Sequence, residues 1–170
     1  VVQTALLTSS FIGVRERYGN DLPKQGLILD SPLQEYFVTL MLLMFAADAI
    51  GLFVSSMVKK PESANVVAPY ILIVQLIFSG ILFPMEGAGK IFSYGMLSRW
   101  GMEGLGSISD LNELPLQIQA TVPTVPHETD AMFSHSGWHL LGVWLILLGF
   151  SALFLVAGNL FLHRIAKNSR

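Results

Sequence analysis

The chain has 170 residues, of which 52% are hydrophobic and 13% charged, with a formal net charge of -2 and a mean hydropathy of +0.58. A water-soluble domain carries about a quarter charged residues, so this composition excludes an ordinary soluble globule and points to a membrane protein. The basic residues form no run that would follow a phosphate backbone, which excludes a nucleic-acid partner, and the lack of cysteine excludes disulfides, thiolate metal sites and a cysteine nucleophile.

Taken in chain order, the first apolar block, Val1 to Val14, is too short to cross a bilayer and begins without Met or a basic leader, so it reads as a partial span continuing from upstream sequence. A connection from Arg15 to Glu35 leads to the second block, Tyr36 to Val58, which is long enough for the ~20 residues a spanning helix needs. Asp48 is the single acid inside it. A carboxylate in hydrocarbon is costly, so Asp48 either faces a transport path or ties two helices together. Ala47, Gly51 and Ser55 recur every fourth residue, a small-residue stripe suited to close helix packing.

Lys59-Lys60-Pro61-Glu62-Ser63 then forms a short turn whose Lys59 and Lys60 place it on the cytoplasmic side. The third block runs from Val66 to Met85 and contains Gln75, Ser79 and Gly80, with Pro84 near its outer end. Gln75 suits either a substrate path or an interhelical hydrogen bond.

The stretch from residue 86 to 137 is acid-rich and reads as an external loop. It opens on Gly87-Ala88-Gly89-Lys90, which fails the phosphate-loop pattern because Pro84 and Ile91 stand where that pattern needs Gly and Ser or Thr, and which reads as a flexible loop start. From Ile91 to Leu111 the apolar residues Phe92, Met96, Trp100 and Leu105 keep helical spacing, which predicts an amphipathic helix at the outer interface, followed by an irregular segment from Pro115 to His135. His127, His135 and His139 with Glu128 and Asp130 match no closed zinc spacing, so no metal is expected, and no catalytic constellation occurs in the spans. The last block, Trp138 to Leu162, ends in the basic tail His163 to Arg170, placing the C-terminus in the cytoplasm. The expected fold is an all-α membrane protein: a bundle of three full transmembrane helices (about 36–58, 66–85 and 138–162) plus one partial (1–14), with an external amphipathic helix.

Ile50-Gly51-Leu52-Phe53-Val54-Ser55-Ser56, the basic turn, Ala68-Pro69, and Ser79-Gly80-Ile81-Leu82-Phe83-Pro84 follow one another in an order that resembles the type-2 membrane domain of ATP-binding-cassette (ABC) exporters. Arg99-Trp100-Gly101-Met102-Glu103-Gly104-Leu105 is similar to that family's "RW-x-x-E/D-A-L" helix in the last external loop. The resemblance runs from about Tyr36 to the end, is closest to bacterial proteins related to the G subfamily, and leaves Pro115 to Ser136 unmatched.

It implies that residues 1–170 are the C-terminal part of the membrane domain, with the segment bearing Arg99, Trp100 and Glu103 as an external or re-entrant helix. It also implies a second copy of the domain and a nucleotide-binding domain, upstream on the same polypeptide or a separate subunit, that binds ATP and Mg while this chain binds no cofactor. The path would run between two copies in the inner membrane, with Asp48, Gln75 and Ser79 as lining or gating candidates. The competing reading is a non-transporting scaffold or assembly subunit, in which Asp48 and the small-residue stripe only hold helices together.

Overall fold

A computed structural model of the protein describes residues 1–18, 23, 25–58, 61–80, 87–113 and 130–168. Among these every regular element is helical: α1 (Val2–Tyr18), α2 (Pro32–Met57), α3 (Pro61–Ile77), α4 (Gly87–Ser93), α5 (Leu97–Ile108), a 3-10 turn (Ala131–Phe133) and α6 (Gly137–Asn168). The expected all-α class holds. Two helices, α2 and α6 as far as His163, are long and apolar enough to cross a membrane, with mean hydropathies of 2.3 and 2.6. The 17 residues of α3 reach about 26 Å at 1.5 Å per residue, a little short of a ~30 Å hydrocarbon core. Lys59 and Lys60, and residues 81–86 at the outer end of the third block, lie outside the described residues.

The distribution of burial separates this chain from a soluble core. Only 17% and 22% of the most apolar windows of α2 and α6 are buried within the chain. α1 buries Thr4 and Thr8 while exposing Val2, Leu6, Leu7 and Val14, the inverse of a helix folded in water. Small and hydroxylated residues facing inward with apolar ones outward is the arrangement that lipid favours, because lipid satisfies the apolar surface and leaves polar groups to find each other.

The chain divides into two compact units, Val1–Met41 with Gly101–Trp144 and Leu42–Trp100 with Leu145–Arg170. The core of the first is Tyr36, Ile108 and Leu140, with Leu27, Leu105 and Trp144 packed on it. Two glycines of α5 make that packing close. A Cβ on Gly104 would stand 3.0 Å from Thr39 Cγ2, and one on Gly106 would lie 2.3 Å from the Phe133 ring. In the second unit α6 crosses α2 at Gly158, whose Cβ position is 3.6 Å from Phe53 Cα, and Phe53 meets the rings of Phe154 and Phe161 at 5.5 and 5.8 Å.

The segment from Gly87 to Leu111 differs from its expected form in two ways. Gly87 to Lys90, read from sequence as a flexible loop start, is the first turn of α4, entered through Gly87 at φ +54. The predicted helix over 91–111 is broken after Ser93, where Gly95 and Met96 donate to the carbonyls of Phe92 and Ser93 and so turn the chain into α5. α5 ends in a Schellman motif: Leu111 N–H bonds the Gly106 carbonyl at 3.1 Å and Asp110 N–H bonds Ser107 at 3.3 Å. Asp110 holds the left-handed position, φ 49, where glycine is usual.

Candidate functional site

In the second unit α2 and α3 leave a groove of about 310 Å³. Ala47, Ile50, Gly51 and Val54 form its α2 wall, and Asn65, Ala68, Ile71, Leu72 and Gln75 its α3 wall, with Leu97 at one end. The α3 set follows the three-and-four spacing of one helix face. Width comes from small side chains, since a Cβ on Gly51 would meet nothing within 4 Å. Pro69, inside α3, has no N–H to return to the carbonyl of Asn65 four residues earlier, which removes one hydrogen bond from the helix.

Gln75 does two things at once. Besides lining the groove, its Oε1 accepts the Ser98 N–H at 3.2 Å, and its backbone carbonyl accepts the Ser98 hydroxyl. Ser98 is the second residue of α5, and the first N–H groups of a helix have no partner inside it. Met96, just before α5, has no side-chain oxygen to serve as a local cap, so a glutamine from α3 fills that role. Gln75 therefore makes an interhelical hydrogen bond and also lines the groove.

The other path candidates are placed differently. Asp48 is exposed and is not among the lining residues, although its neighbour Ala47 is. Ser79 is buried, and its hydroxyl donates to the Leu76 carbonyl at 2.7 Å. Of the small-residue stripe, Ala47 and Gly51 line the groove and Ser55 is exposed, whereas in this half of α2 the residues buried within the chain are Ala46, Ala49 and Ser56.

Arg99, Trp100 and Glu103 all sit in packed surroundings. Arg99 is buried, donates from Nη1 to Ser93 Oγ at 3.0 Å and lies 4.3 Å from the centre of the Tyr94 ring, a cation–π geometry. Trp100 donates from Nε1 to the Tyr94 carbonyl at 2.9 Å, so both side chains close the corner between α4 and α5. In the first unit Glu103 Oε1 is 3.1 Å from His139 Nε2, which also lies 3.0 Å from the Met132 carbonyl. Two acceptors at one nitrogen require the proton to be on Nε2. His135 Nδ1 likewise faces the Ser107 carbonyl at 2.7 Å. No group of three or more His, Cys, Asp or Glu side chains placed to hold a metal occurs among the described residues, which do not include His127 and Glu128.

Sequence reasoning gave no packing role to four residues that organise the first unit, Glu35, Tyr36, Thr39 and Trp144. Glu35 is fully buried, and its Oε1 accepts the N–H groups of Ile28 and Leu29, the latter at 2.9 Å. The Tyr36 hydroxyl meets Ser109 Oγ, and Trp144 Nε1 donates to Thr39 Oγ1 at 2.8 Å. Their signal in the sequence is faint: one acid at the mouth of an apolar block, and a tyrosine, threonine and tryptophan that pass for interfacial residues.

Residues 30–108, from just before α2 to the end of α5, match the family model described as ABC-2 type transporter. Over that stretch, just under half of its length, the chain is similar to the membrane part of ABC-2 type transporters. No curated protein and no solved structure matches it.

Proposed function

We infer that the chain is the C-terminal part of the membrane domain of an ATP-driven exporter, bacterial and related to the G subfamily, working as a pair of copies in the inner membrane. The family match carries this reading, because it contains both helices of the α2–α3 groove and the external α5. ATP and Mg would bind a nucleotide-binding domain, on the same polypeptide or a separate subunit. Closure of the paired ATPases would be pushed into the membrane helices so that a path along α2 and α3 opens outward. Three full spans and one partial fit this arrangement. The Lys59-Lys60 turn and the C-terminus would lie in the cytoplasm, with α4 and α5 at the outer exit.

Native mass spectrometry of the protein extracted from its own membrane tests the reading. The expected complex contains two copies of the membrane domain and two nucleotide-binding domains, with vanadate-sensitive ATP hydrolysis. A complex with neither would favour the scaffold. Asp48→Asn and Gln75→Leu separate the two readings further: loss of transport with normal dimerisation supports a path, and loss of assembly supports a scaffold.

A further inference from the structure

We propose that the α2–α3 groove binds neutral, elongated amphiphiles, mostly apolar molecules whose only polar groups are uncharged hydrogen-bonding ones such as hydroxyl, ester or amide. This names the ligand class of the site and rests on the reading of the chain as a transporter. Among the described residues the lining contains no charged side chain, and neither acid of α2, Glu35 or Asp48, is part of it. Its polar side chains are two amides, Asn65 and Gln75, on the same face of α3. Ten residues at 1.5 Å each set them about 15 Å apart, with Ala68, Ile71 and Leu72 between.

Each amide has hydrogen-bonding capacity left for a ligand. The Gln75 oxygen is taken by Ser98, while its NH₂ group has no hydrogen bond among the described residues, so this end of the groove offers donors. Asn65 is exposed and offers both a donor and an acceptor, beside a backbone carbonyl that Pro69 cannot reach. A carbonyl, ether or hydroxyl oxygen satisfies the Gln75 end, and a hydroxyl or amide satisfies the Asn65 end. A carboxylate or ammonium entering between Ile50, Val54 and Ile71 would leave water without meeting a counter-charge, which is strongly unfavourable. The volume, about 310 Å³, lies at the lower end for a drug-sized ligand and suits one chain of such a molecule.

The test uses the native protein in nanodiscs with three diazirine probes of equal chain length: a monoacylglycerol, a fatty acid and an alkyltrimethylammonium. Labelled residues are mapped by mass spectrometry with and without ATP and vanadate. The expected result is labelling of α2 and α3 along the groove by the monoacylglycerol, roughly tenfold above either charged probe. Asn65→Leu, which removes no hydrogen bond among the described residues, lowers it several-fold. Gln75→Glu keeps an oxygen for Ser98 while removing the donor and adding charge, and also lowers it.

Equal labelling by the charged probes, labelling away from the groove, or indifference to both substitutions overturns the proposal. Neutral-selective labelling that does not respond to nucleotide upholds the ligand class and instead counts against the transporter reading.

Discussion

In the unit formed by residues 1–41 and 101–144, side chains distant in sequence hydrogen-bond to one another; in the unit formed by residues 42–100 and 145–170, most hydroxyls fold back on their own helix. The first is joined by Trp144 to Thr39, Tyr36 to Ser109, His139 to Glu103 and Ser107 to the Ser134 carbonyl. In the second, Ser56, Ser79, Ser93 and Ser151 each donate to a carbonyl three or four residues back, and the contacts between α2 and α6 are Phe53 rings and Gly158. A long-range hydrogen bond fixes the position of two elements, whereas a local one only satisfies the hydroxyl. The first unit is thus specified by directional contacts. The second, apart from Ser98 on Gln75, is held mainly by packing, and it contains the groove.

The steepest way to break the first unit is Gly106→Val, since even a Cβ would overlap the Phe133 ring; we expect a loss of about 3 kcal/mol, read as a lower thermal midpoint in nanodiscs. Glu103→Leu removes the carboxylate beside His139 and is expected to cost about 2 kcal/mol by chemical unfolding. The sharpest comparison is Thr39→Val against Ser56→Ala. Thr39→Val leaves the Trp144 N–H without its acceptor and should cost about 1 kcal/mol, whereas Ser56→Ala removes only a local bond and should cost less than about 0.5 kcal/mol. Equal costs for the pair would erase the distinction between the units. The smallest effect has the opposite sign: Asp110→Gly should add about 0.5 kcal/mol by relieving a left-handed residue at the end of α5.

Much of the second unit was legible in the sequence, because apolar blocks of spanning length and a Lys-Lys-Pro break are strong one-dimensional signals. The small-residue stripe was legible as well, though a four-residue period alone does not say whether a neighbouring helix or an open groove faces it. Ala47 and Gly51 line a groove, and Ala46 and Ala49 on the adjoining face are the ones buried. The polar interior of the first unit was not legible. Glu35, Thr39 and Trp144 acquire their partners only when segments far apart in the chain meet, and no periodicity records such pairs. The break between α4 and α5 was obscured by apolar residues that keep helical spacing through Tyr94-Gly95-Met96, and the capping of α5 by Gln75 is a tertiary contact that replaces the local cap a sequence reading looks for.

The most direct test of the account follows from the absence of cysteine in this chain. A single cysteine placed at Ala68, in the groove, can be titrated with a membrane-impermeant maleimide in the assembled transporter, otherwise cleared of reactive cysteines, in sealed vesicles. If α2 and α3 line an ATP-driven path, trapping with ATP and vanadate shifts labelling from the cytoplasmic reagent to the external one. Labelling from one side at a rate that nucleotide leaves unchanged would contradict the claim.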